Sequence, residues 1–436
     1  MDLLKNIFKG DKVIWIIFLL LCMISIVEVF SAASTLTYKT GDYWQPITQH
    51  CILLMIGVII VVVTHNIPYK WFQAIPFVLL PVSIGLLIFV ALMGWISGDR
   101  VNGAARWMTL MGIQFQPSEL AKMAVIVVTA YLLGKGQTEE GASPKAFKHI
   151  LIITGIVCML IIPENYSTGA LLFATVFTMM FVGRIQLRKL LLLTGVLLSA
   201  VFLFVVFLKV TPDETLNKIP MGHRFTTVKE RISEFTNNVE VPPEKYDIDD
   251  NAQVAHARIA VATSNILGKG PGNSVQRDFL SQAYSDFIFA IVIEELGLVG
   301  GFIVVFLYIC LLIRAGKIAS RCDRTFPAFL VLGIALLLVI QATFNMMVAV
   351  GLAPVTGQPL PLISKGGTST FINCAYIGMI LSVSRYTAAL DEAKAEMKEI
   401  PQLSGHTETE ESQTVSQAQT AIEPTAEAFN EDSKFE

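Results

Sequence analysis

The sequence predicts an all-α polytopic membrane protein of ten transmembrane helices, with both termini cytoplasmic and a large extracytoplasmic loop between helices 7 and 8. Of the 436 residues, 53% are hydrophobic and only 15% are charged, and the mean hydropathy is +0.61. A soluble domain cannot bury that much apolar surface. Apolar runs of about 20 residues, long enough to cross a bilayer, recur along the chain. Basic residues concentrate in every second loop, which orients the runs.

The ten apolar runs are predicted to be helices because lipid offers no hydrogen-bond partner to an open strand. The first run follows a basic start, as in a signal peptide. It is long, however, and a second spanning run follows closely, so we interpret it as a helix that stays in the membrane. The predicted spans cover residues 13–32, 47–65, 73–94, 117–134, 148–163, 167–183, 189–209, 284–313, 326–352 and 368–387.

Basic residues orient these spans, because short cytoplasmic loops carry an excess of Lys and Arg. The larger basic set precedes span one or lies between spans two and three, four and five, six and seven, and eight and nine. Residues 1–12 and the end of the chain are therefore predicted to be cytoplasmic. The larger set comprises Lys5, Lys9, Lys12, Lys70, Lys135, Lys145, Lys148, Arg184, Arg188, Lys189, Arg314, Lys317, Arg321 and Arg324, whereas the alternate short loops hold Lys39, Arg100, Arg106 and Lys365.

The membrane domain is predicted to cover residues 13–388, with the large outer loop at 210–283. Residues 389–436 are acidic and rich in Ser, Thr and Gln, which predicts a disordered cytoplasmic tail. Much of the acid lies in this tail, so the net charge of −3 describes the remainder poorly, and nothing points to nucleic-acid binding. The six cysteines have no pairing or metal-ligand spacing, which predicts small buried residues.

The first polar segment is NGAARWMTLMGIQFQPSELAK, which ends at Lys122. Gln116, Glu119 and Lys122 are spaced by three and share one face of a helix. A charge at the centre of a spanning helix costs about 3 kcal/mol, and pairing with Glu119 would lower that cost for Lys122. The residues leave two alternatives: a structural ion pair, or the polar wall of a cavity for an anionic headgroup. Arg106 suits either an interfacial anchor or a phosphate contact.

The second polar segment lies in the large outer loop. The stretch GKGPGNSVQ alternates Gly268, Gly270 and Gly272 just before Ser274 and Gln276. Alternating glycines let the backbone approach a ligand closely, and its N–H groups can bind oxygens. A glycine-rich turn is also simply a turn, so the residues leave both alternatives open.

The third polar segment, GLAPVTGQPLPLISKGGTSTF, follows span nine. Pro354, Pro359 and Pro361 forbid a continuing helix. We expect a re-entrant or capping loop, which is tolerated at membrane depth only where it lines protein or water. Lys365 is its only charge, and a tight structural cap is the alternative.

Three carboxylates, Asp286, Glu294 and Glu295, interrupt the run AYSDFIFAIVIEELGLVGG. The 17 residues before Arg314, which is predicted to mark the cytoplasmic end, supply roughly 25 Å of helix, so both glutamates are expected near the outer interface. On one continuous helix Asp286 and Glu295 would lie about 180° apart, which excludes a side-by-side acid/base pair. We expect the glutamates to cap or brace neighbouring segments. Asp286 is expected where the glycine loop meets a helix N-terminus, which favours its ionised form.

Taken in order, NGAARW…QPSELAK, GKGPGNSVQ…YSDFIFAIVIEELG and GLAPVTGQPLPLISKGGTS resemble the signature stretches of the SEDS family, the bacterial cell-wall synthases of the FtsW and RodA type. FSAAS after the first span resembles that family too. The resemblance covers residues 13–388, with the spans in the family order, and leaves out the tail. The form NGAARW is closer to the cell-division branch than to the elongation branch.

The resemblance implies a peptidoglycan glycosyltransferase that polymerises lipid II, an undecaprenyl-pyrophosphate disaccharide-pentapeptide. The reaction is expected at the outer face of the cytoplasmic (inner) membrane, at the division septum. Asp286 holds the family's catalytic aspartate position and is suited to act as general base on the attacking sugar hydroxyl. Arg106 and Lys122 would bind the pyrophosphate, and Lys365 would add to them, although relatives usually carry Tyr there.

The resemblance also completes the expected site. Gln116, Ser118, Glu119, Gly268, Gly270, Ser274, Gln276, Gly366 and Gly367 are assigned to substrate binding, and Glu294, Glu295, Pro354, Pro359 and Pro361 to structure. Three positions depart from the family pattern. Asn165 in PENYSTG removes a carboxylate, Gln114 replaces a basic residue, and Thr368 replaces Ser.

Two further hypotheses belong to other functional classes: a flippase or transporter of lipid II, and a division scaffold that recruits a transpeptidase. The expected partners are lipid II, a class B penicillin-binding transpeptidase with one membrane anchor, and other divisome membrane proteins. No metal site is predicted, because no carboxylate cluster is dense enough to hold an ion firmly. Assistance by a divalent cation, Mg or Mn, is left open.

Overall fold

The computed structural model describes residues 9–32, 44–96, 108–110, 113–139, 141–212, 225–226, 228–229, 252–280 and 283–399. The segment NGAARW, including Arg106, lies outside these ranges, as does most of the predicted outer loop before residue 252. The chain divides into two compact units, residues 1–388 and 389–436. The predicted bounds of the outer loop and the disorder of the tail beyond Glu399 stay predictions.

The described part of the chain is mostly helical. Its helices are α1 (Lys12–Ala32), α2 (Gln45–Asn66), α3 (Ile75–Ile96), α4 (Pro117–Lys135), α5 (Pro144–Ile161), α6 (Tyr166–Val182), α7 (Leu187–Val210), α8 (Ala252–Ala262), α9 (Ile288–Ser320), α10 (Thr325–Ala349) and α11 (Thr368–Glu399). Single 3-10 turns span Tyr69–Gln73 and Gln276–Asp278. Two short antiparallel hairpins pair β1 (Met108–Leu110) with β2 (Ile113–Phe115), and β3 (Gln137–Thr138) with β4 (Gly141–Ala142).

Length and composition identify a multi-pass membrane protein. Among the described residues, eight helices are long and apolar enough to cross a membrane: α1 to α5, α7, α9 and α10. Helix α6 is also apolar but has only 17 residues. Each of the ten predicted spans coincides with one helix, the last two being α10 and α11. The polytopic helical fold is confirmed, whereas the crossing of the membrane by all ten helices stays a prediction.

Several predicted helix boundaries differ from those of the structure, and two of them bear on the interpretation. Residues 283–287 form turns, so α9 begins at Ile288 rather than 284 and continues to Ser320. Within it Gly297 has φ 73° and ψ −173°, which breaks the helix. The predicted angle between Asp286 and Glu295 assumed one continuous helix and does not apply, because Asp286 lies in the turns before Ile288. At the other boundary, α11 continues to Glu399, so residues 389–399 are helical rather than disordered.

The break in α9 is filled by the glycine loop. A broken helix leaves carbonyl and N–H groups without intrahelical partners, which must find others when they are buried. Backbone hydrogen bonds of 2.8 to 3.3 Å join loop residues 265–270 to residues 294–299 across this gap. The approach requires glycine on both sides, because a Cβ on Gly268 would lie 2.3 Å from the backbone nitrogen of Gly297.

The helix ends form two groups. The basic loops gather at one end of the bundle through an ion pair of 2.6 Å between Arg314 and Asp11 and a hydrogen bond of 2.9 Å from Thr325 to the carbonyl of Gly134. At the opposite end the glycine loop contacts the last turn of α1, where Arg277 donates to Ser31 at 2.8 Å. The Pro- and Gly-rich loop after α10 also lies at this second end.

Candidate functional site

The turn that carries Asp286 is held at three successive carbonyls. The carbonyls of residues 284–286 each accept one hydrogen bond. The backbone N–H of Lys365 donates to the carbonyl of Tyr284 at 3.0 Å. Oγ of Ser364 donates to the carbonyl of Ser285 at 2.6 Å, and Nδ2 of Asn345 donates to that of Asp286 at 2.8 Å. The donors come from the loop after α10 and from α10 itself. The Asp286 turn is therefore fixed to a separate part of the bundle, just before α9 begins.

The carboxylate of Asp286 lies against the same loop. Oδ1 accepts a hydrogen bond of 3.1 Å from Oγ of Ser285. A Cβ built on Gly357 would lie 3.6 Å from Oδ2, and Gly357 has φ +65°, a left-handed conformation that favours glycine. Glycine at this position thus keeps the loop backbone close to the carboxylate.

Two ionisable neighbours complete the surroundings of this turn. The Nζ atom of Lys365 lies 6.0 Å from the ring centre of Tyr284 and donates to the carbonyl of Pro46 at 3.4 Å. Burial lowers the pKa of Lys365 from its ordinary value. Burial, and after it the charge of Asp286, raises the pKa of Tyr284. Tyr284 therefore has a basic side chain near its ring and an acidic side chain among its electrostatic neighbours.

The loop between α10 and α11 enters the bundle. Its carbonyls at Pro361 and Ile363 accept hydrogen bonds from Tyr308 in α9 and from Ser25 in α1, the latter at 2.6 Å. Ser25 lies seven residues before the end of α1, roughly 10 Å along the helix axis. The loop therefore enters the helix bundle, and its position at membrane depth, as a re-entrant loop, stays a prediction.

The predicted prolines differ in their surroundings. Pro361 is buried and Pro354 is exposed, while the carbonyl of Pro359 accepts a hydrogen bond of 3.0 Å from Nε2 of Gln341. Pro359 and Pro361 thus lie in the part of the loop that is hydrogen-bonded to the helices. Pro354 lies near its exposed start.

Lys122 was assigned to the headgroup; that assignment stays a prediction, and the structure shows the partners that the side chain has inside the protein. Its side chain is 0% exposed, pairs with Glu119 at 2.7 Å and donates to Oε1 of Gln341 at 3.0 Å. A buried lysine with two such partners has its charge compensated inside the protein. Of the two alternatives, the structural ion pair is the one observed for Lys122 and Glu119.

The glycine loop was expected to offer free N–H groups, and the structure uses the backbone donors at Gly270, Ser274 and Gln276 internally. The N–H of Gly270 donates to the backbone carbonyl of Glu295 at 2.8 Å. The N–H of Ser274 donates to the Glu295 carboxylate at 3.1 Å, and that of Gln276 to the Glu294 carboxylate at 3.3 Å. Because these donors are occupied, they brace the loop rather than face a ligand.

Both glutamates contact this loop, in the bracing geometry expected for them. The Glu294 carboxylate also accepts from Oγ of Ser274 and from Nζ of Lys269. The Glu295 carboxylate accepts from Ser31 in α1, so it joins three segments of chain. Gly268, predicted as a ligand contact, instead packs on the broken turn of α9.

The start of α4 lies beside the end of the re-entrant loop. A Cβ built on Gly367 would be 3.9 Å from the carbonyl of Gln114, and Gln116 donates to Oγ of Ser118 at 2.9 Å. Ser118 lines a small crevice with Asn165. Asn165, where relatives often carry a carboxylate, caps α6 by accepting from the N–H of Thr168 at 3.1 Å. The structure thus gives this position a helix-capping role.

Sequence analysis missed four polar residues that hold the Asp286 turn or the loop beside it: Gln341, Asn345, Gln358 and Ser364. All four are buried, and Asn345 also donates to the carbonyl of Gln358 at 2.8 Å. Gln341 and Asn345 lie inside the apolar run 326–352, where polar side chains are rare and usually functional. That signal was present in the sequence.

Metal ligands are sparse in the described part of the chain, where no group of three or more His, Cys, Asp or Glu residues comes together. All six cysteines fall within that part and are free thiols. Assistance by a divalent cation stays a prediction.

Comparison with known proteins identifies relatives over most of the chain. The family described as cell cycle protein, of the FtsW, RodA and SpoVE type, matches residues 11–389. A probable peptidoglycan glycosyltransferase FtsW of Geobacter sulfurreducens is 29% identical over 382 residues, which cover 87% of this chain and 96% of that relative. The protein of the same name from Trichlorobacter lovleyi is 31% identical over 378 residues, which cover 86% of this chain and 93% of that relative.

Solved structures share the fold. A structure described as "Structural coordination of polymerization and crosslinking by a peptidoglycan synthase complex" matches with a TM-score of 0.67 at 23% identity, covering 87% of this chain and 99% of that one. The rod shape determining protein RodA of Thermus thermophilus matches with a TM-score of 0.58 at 22% identity, covering 87% of this chain and 98% of that one.

Proposed function

The chain belongs to the FtsW/RodA/SpoVE family of cell cycle proteins, and on that premise we propose that it is a peptidoglycan glycosyltransferase that polymerises lipid II. The observation that carries the proposal is the fixed position of Asp286, whose turn is hydrogen-bonded at three successive carbonyls beside a re-entrant loop. A transporter needs a cavity for the headgroup, but it has no need for a carboxylate held in this way.

Asp286 is proposed as the general base. Its carboxylate takes the proton of the attacking sugar hydroxyl as that oxygen bonds to the anomeric carbon of the donor. The bond from the anomeric carbon to the pyrophosphate oxygen breaks, and undecaprenyl pyrophosphate leaves with the bonding electrons. The new bond is a β-1,4 glycosidic bond in the growing glycan strand.

Lys365 is proposed to stabilise the charge that develops on the leaving pyrophosphate. It is half-buried, lies beside Tyr284 on the turn of Asp286, and contacts a carbonyl and an aromatic ring. Arg106 is assigned the same role on the family resemblance alone. Lys122 is left out, because its charge is compensated by Glu119.

The proposed topology has ten spans, cytoplasmic termini, and the large loop with Asp286 on the outer side. Support comes from the two groups of helix ends. The basic loops meet at one end through Arg314 and Asp11. The glycine loop and the re-entrant loop lie at the other end, where the donor lipid would be met.

The proposed partner is a class B penicillin-binding transpeptidase with one membrane anchor, and the proposed setting is the division septum in the inner membrane. One structural relative is a peptidoglycan synthase complex that polymerises and crosslinks, and the curated relatives carry the FtsW name. Glycan polymerisation and crosslinking would then occur in one complex.

The test compares the wild type with Asp286→Asn, each purified with its transpeptidase partner and supplied with lipid II. The variant should bind lipid II but polymerise it at least about 100-fold more slowly, because a general base contributes that much or more. Asp278→Asn is the matched control on the exposed part of the glycine loop and should polymerise at the wild-type rate.

The alternatives predict other results. A flippase would move lipid II across a bilayer with Asp286→Asn as well as with wild type, and a scaffold carrying this variant would still support division. Polymer formed by Asp286→Asn at the wild-type rate would contradict the assignment of the base.

A further inference from the structure

The orientation of the Asp286 carboxylate depends on contacts with distant segments, because Asp286 lies in the turn before α9. Phe287, the N-cap residue of α9, has φ −110° and ψ 14° and makes no side-chain capping bond. The start of the helix therefore does not fix the preceding turn. The three bonds to the carbonyls of residues 284–286 come from α10 and the re-entrant loop.

Asn345 is the central donor among these contacts. Its Nδ2 atom donates both of its protons, to the carbonyls of Asp286 and Gln358, each at 2.8 Å. Gln358 in turn donates to Oγ1 of Thr168 at 2.8 Å, in the first turn of α6. Asn345 and Gln358 are 1% and 3% exposed, so water does not compete readily for these bonds. The chain of bonds ties the Asp286 turn to α10, the loop and α6.

Ser364 makes a second, independent contact with the turn. Its hydroxyl donates to the carbonyl of Ser285 at 2.6 Å and accepts from the backbone N–H of Leu360 at 2.8 Å. The same hydroxyl thus closes the re-entrant loop on itself and fastens it to the residue before Asp286.

We propose that Asn345 and Ser364 are positioning residues, which hold the Asp286 carboxylate in line with the reacting hydroxyl through the backbone of its turn. The role rests on the proposed function, because it has meaning only if Asp286 is the base. A displacement of about 1 Å at a reacting group can cost roughly 100-fold in rate. A turn fixed at three carbonyls resists such a displacement.

If Asn345 has this positioning role, the activity of Asn345→Asp should depend on pH in a characteristic way. Protonated, the aspartic acid can donate one hydrogen bond to either carbonyl; ionised, it donates none and repels both oxygens. The activity of Asn345→Asp relative to wild type should therefore fall as the pH rises. Asn345→Leu, similar in size and unable to ionise, should be impaired by the same factor at every pH.

The experiment uses the full chain in complex with its transpeptidase partner and measures lipid II polymerisation per folded complex, with the folded fraction taken from thermal unfolding. For Asn345→Asp at alkaline pH we expect kcat to fall by roughly 100-fold, with the KM for lipid II changed by less than about twofold. Asn66→Asp, an exposed Asn whose Nδ2 donates to the carbonyl of Val62, is the matched control and should resemble wild type.

Ser364→Ala keeps the test decisive if the Asn345 variants do not fold. It removes one hydroxyl and should lower kcat by about tenfold at unchanged KM, because one of the three contacts is lost. Ser320→Ala, which removes an exposed hydroxyl bonded to the carbonyl of Lys317, is its control.

Kinetics of folded complexes separate positioning from a purely structural role. If folded Asn345→Asp and Ser364→Ala complexes polymerise as wild type does, with the wild-type pH profile, the positioning role is overturned even where the unfolding temperature falls. The measurements on wild type and Asp286→Asn test separately the proposed function on which this role rests. If wild type makes no polymer, the proposed function fails and the positioning role falls with it; if only the Asn345 and Ser364 variants behave as wild type, the proposed function stands.

Discussion

At the scale of the residue, Lys122 and Lys365 carry the same charge in different surroundings. Lys122 is fully buried and meets a carboxylate 2.7 Å away, so its charge is compensated within α4. Lys365 is half-buried and meets a backbone carbonyl and the ring of Tyr284. A phosphate would compensate a charge that burial disfavours, which makes Lys365 the better ligand for the pyrophosphate.

The lowered pKa of Lys365 leads to a prediction about pH. Burial lowers the pKa, so the protonated form that binds phosphate is lost at a lower pH than for an ordinary lysine, whose pKa is about 10.4. The KM for lipid II should therefore begin to rise at a pH below the ordinary lysine pKa of about 10.4. Lys365→Arg should remove the rise, because arginine keeps its proton up to about pH 12.

This prediction is checked by steady-state polymerisation of lipid II across alkaline pH, with Lys269→Arg as the matched control. Lys269 pairs with Glu294 away from the re-entrant loop, and its replacement should leave the pH dependence of KM as in wild type. An identical rise in KM for wild type and Lys365→Arg would remove Lys365 from the pyrophosphate site.

At the scale of the element, the most constrained feature is the contact between the glycine loop and the break in α9. A Cβ on Gly297 would lie 2.2 Å from the carbonyl oxygen of Ile266, and the residue has φ +73°. A left-handed conformation costs a non-glycine residue about 1–2 kcal/mol before any clash is counted. Neither the loop nor the helix can move away without losing the hydrogen bonds across the gap.

Gly297→Ala should therefore lower the free energy of unfolding by more than about 2 kcal/mol. Gly316→Ala, on the same helix and with no atom within 4 Å of its Cβ, should be neutral or stabilising by up to about 1 kcal/mol. Thermal or denaturant unfolding of the purified variants measures the difference. Equal midpoints would mean that the break in α9 is not required by the fold.

Apolar run length predicted the helices well, because membrane crossing is a local property of the sequence. The break at Gly297 had no such signal, because the hydropathy of a glycine is the same whether its backbone is helical or has φ +73°. The choice between an ion pair and a ligand wall for Lys122 could not be made either. Its second partner, Gln341, is 219 positions away, and burial of both is a tertiary property.

The candidate site divides in the same way. Asp286 was found because motif resemblance preserves chain position, whereas its supports depend on contacts between distant segments. Asn345 donates to a carbonyl 59 positions earlier, and Ser364 to one 79 positions earlier. The polar side chains of Gln341 and Asn345 inside an apolar run were the sign that the sequence itself carried.

At the scale of the whole molecule, the bundle has two chemically different ends. One end carries the basic loops, with Arg314 paired to Asp11, and the other carries the glycine loop, the re-entrant loop and Asp286. Basic loops remain in the cytoplasm during insertion. The proposed orientation of the site toward the outer face rests on this arrangement.

Cysteine accessibility tests that orientation directly. In spheroplasts, a membrane-impermeant maleimide should label Val275→Cys, whose side chain is 53% exposed in the glycine loop. Ser320→Cys, exposed at the end of α9, should be labelled only after the membrane is permeabilised. The unsubstituted chain reports the background from native thiols, of which Cys22, Cys158 and Cys374 are buried. Labelling of Ser320→Cys in intact spheroplasts would contradict the proposed topology and indicate the opposite orientation. Asp286 would then lie on the cytoplasmic side, which is incompatible with a polymerase that acts at the outer face.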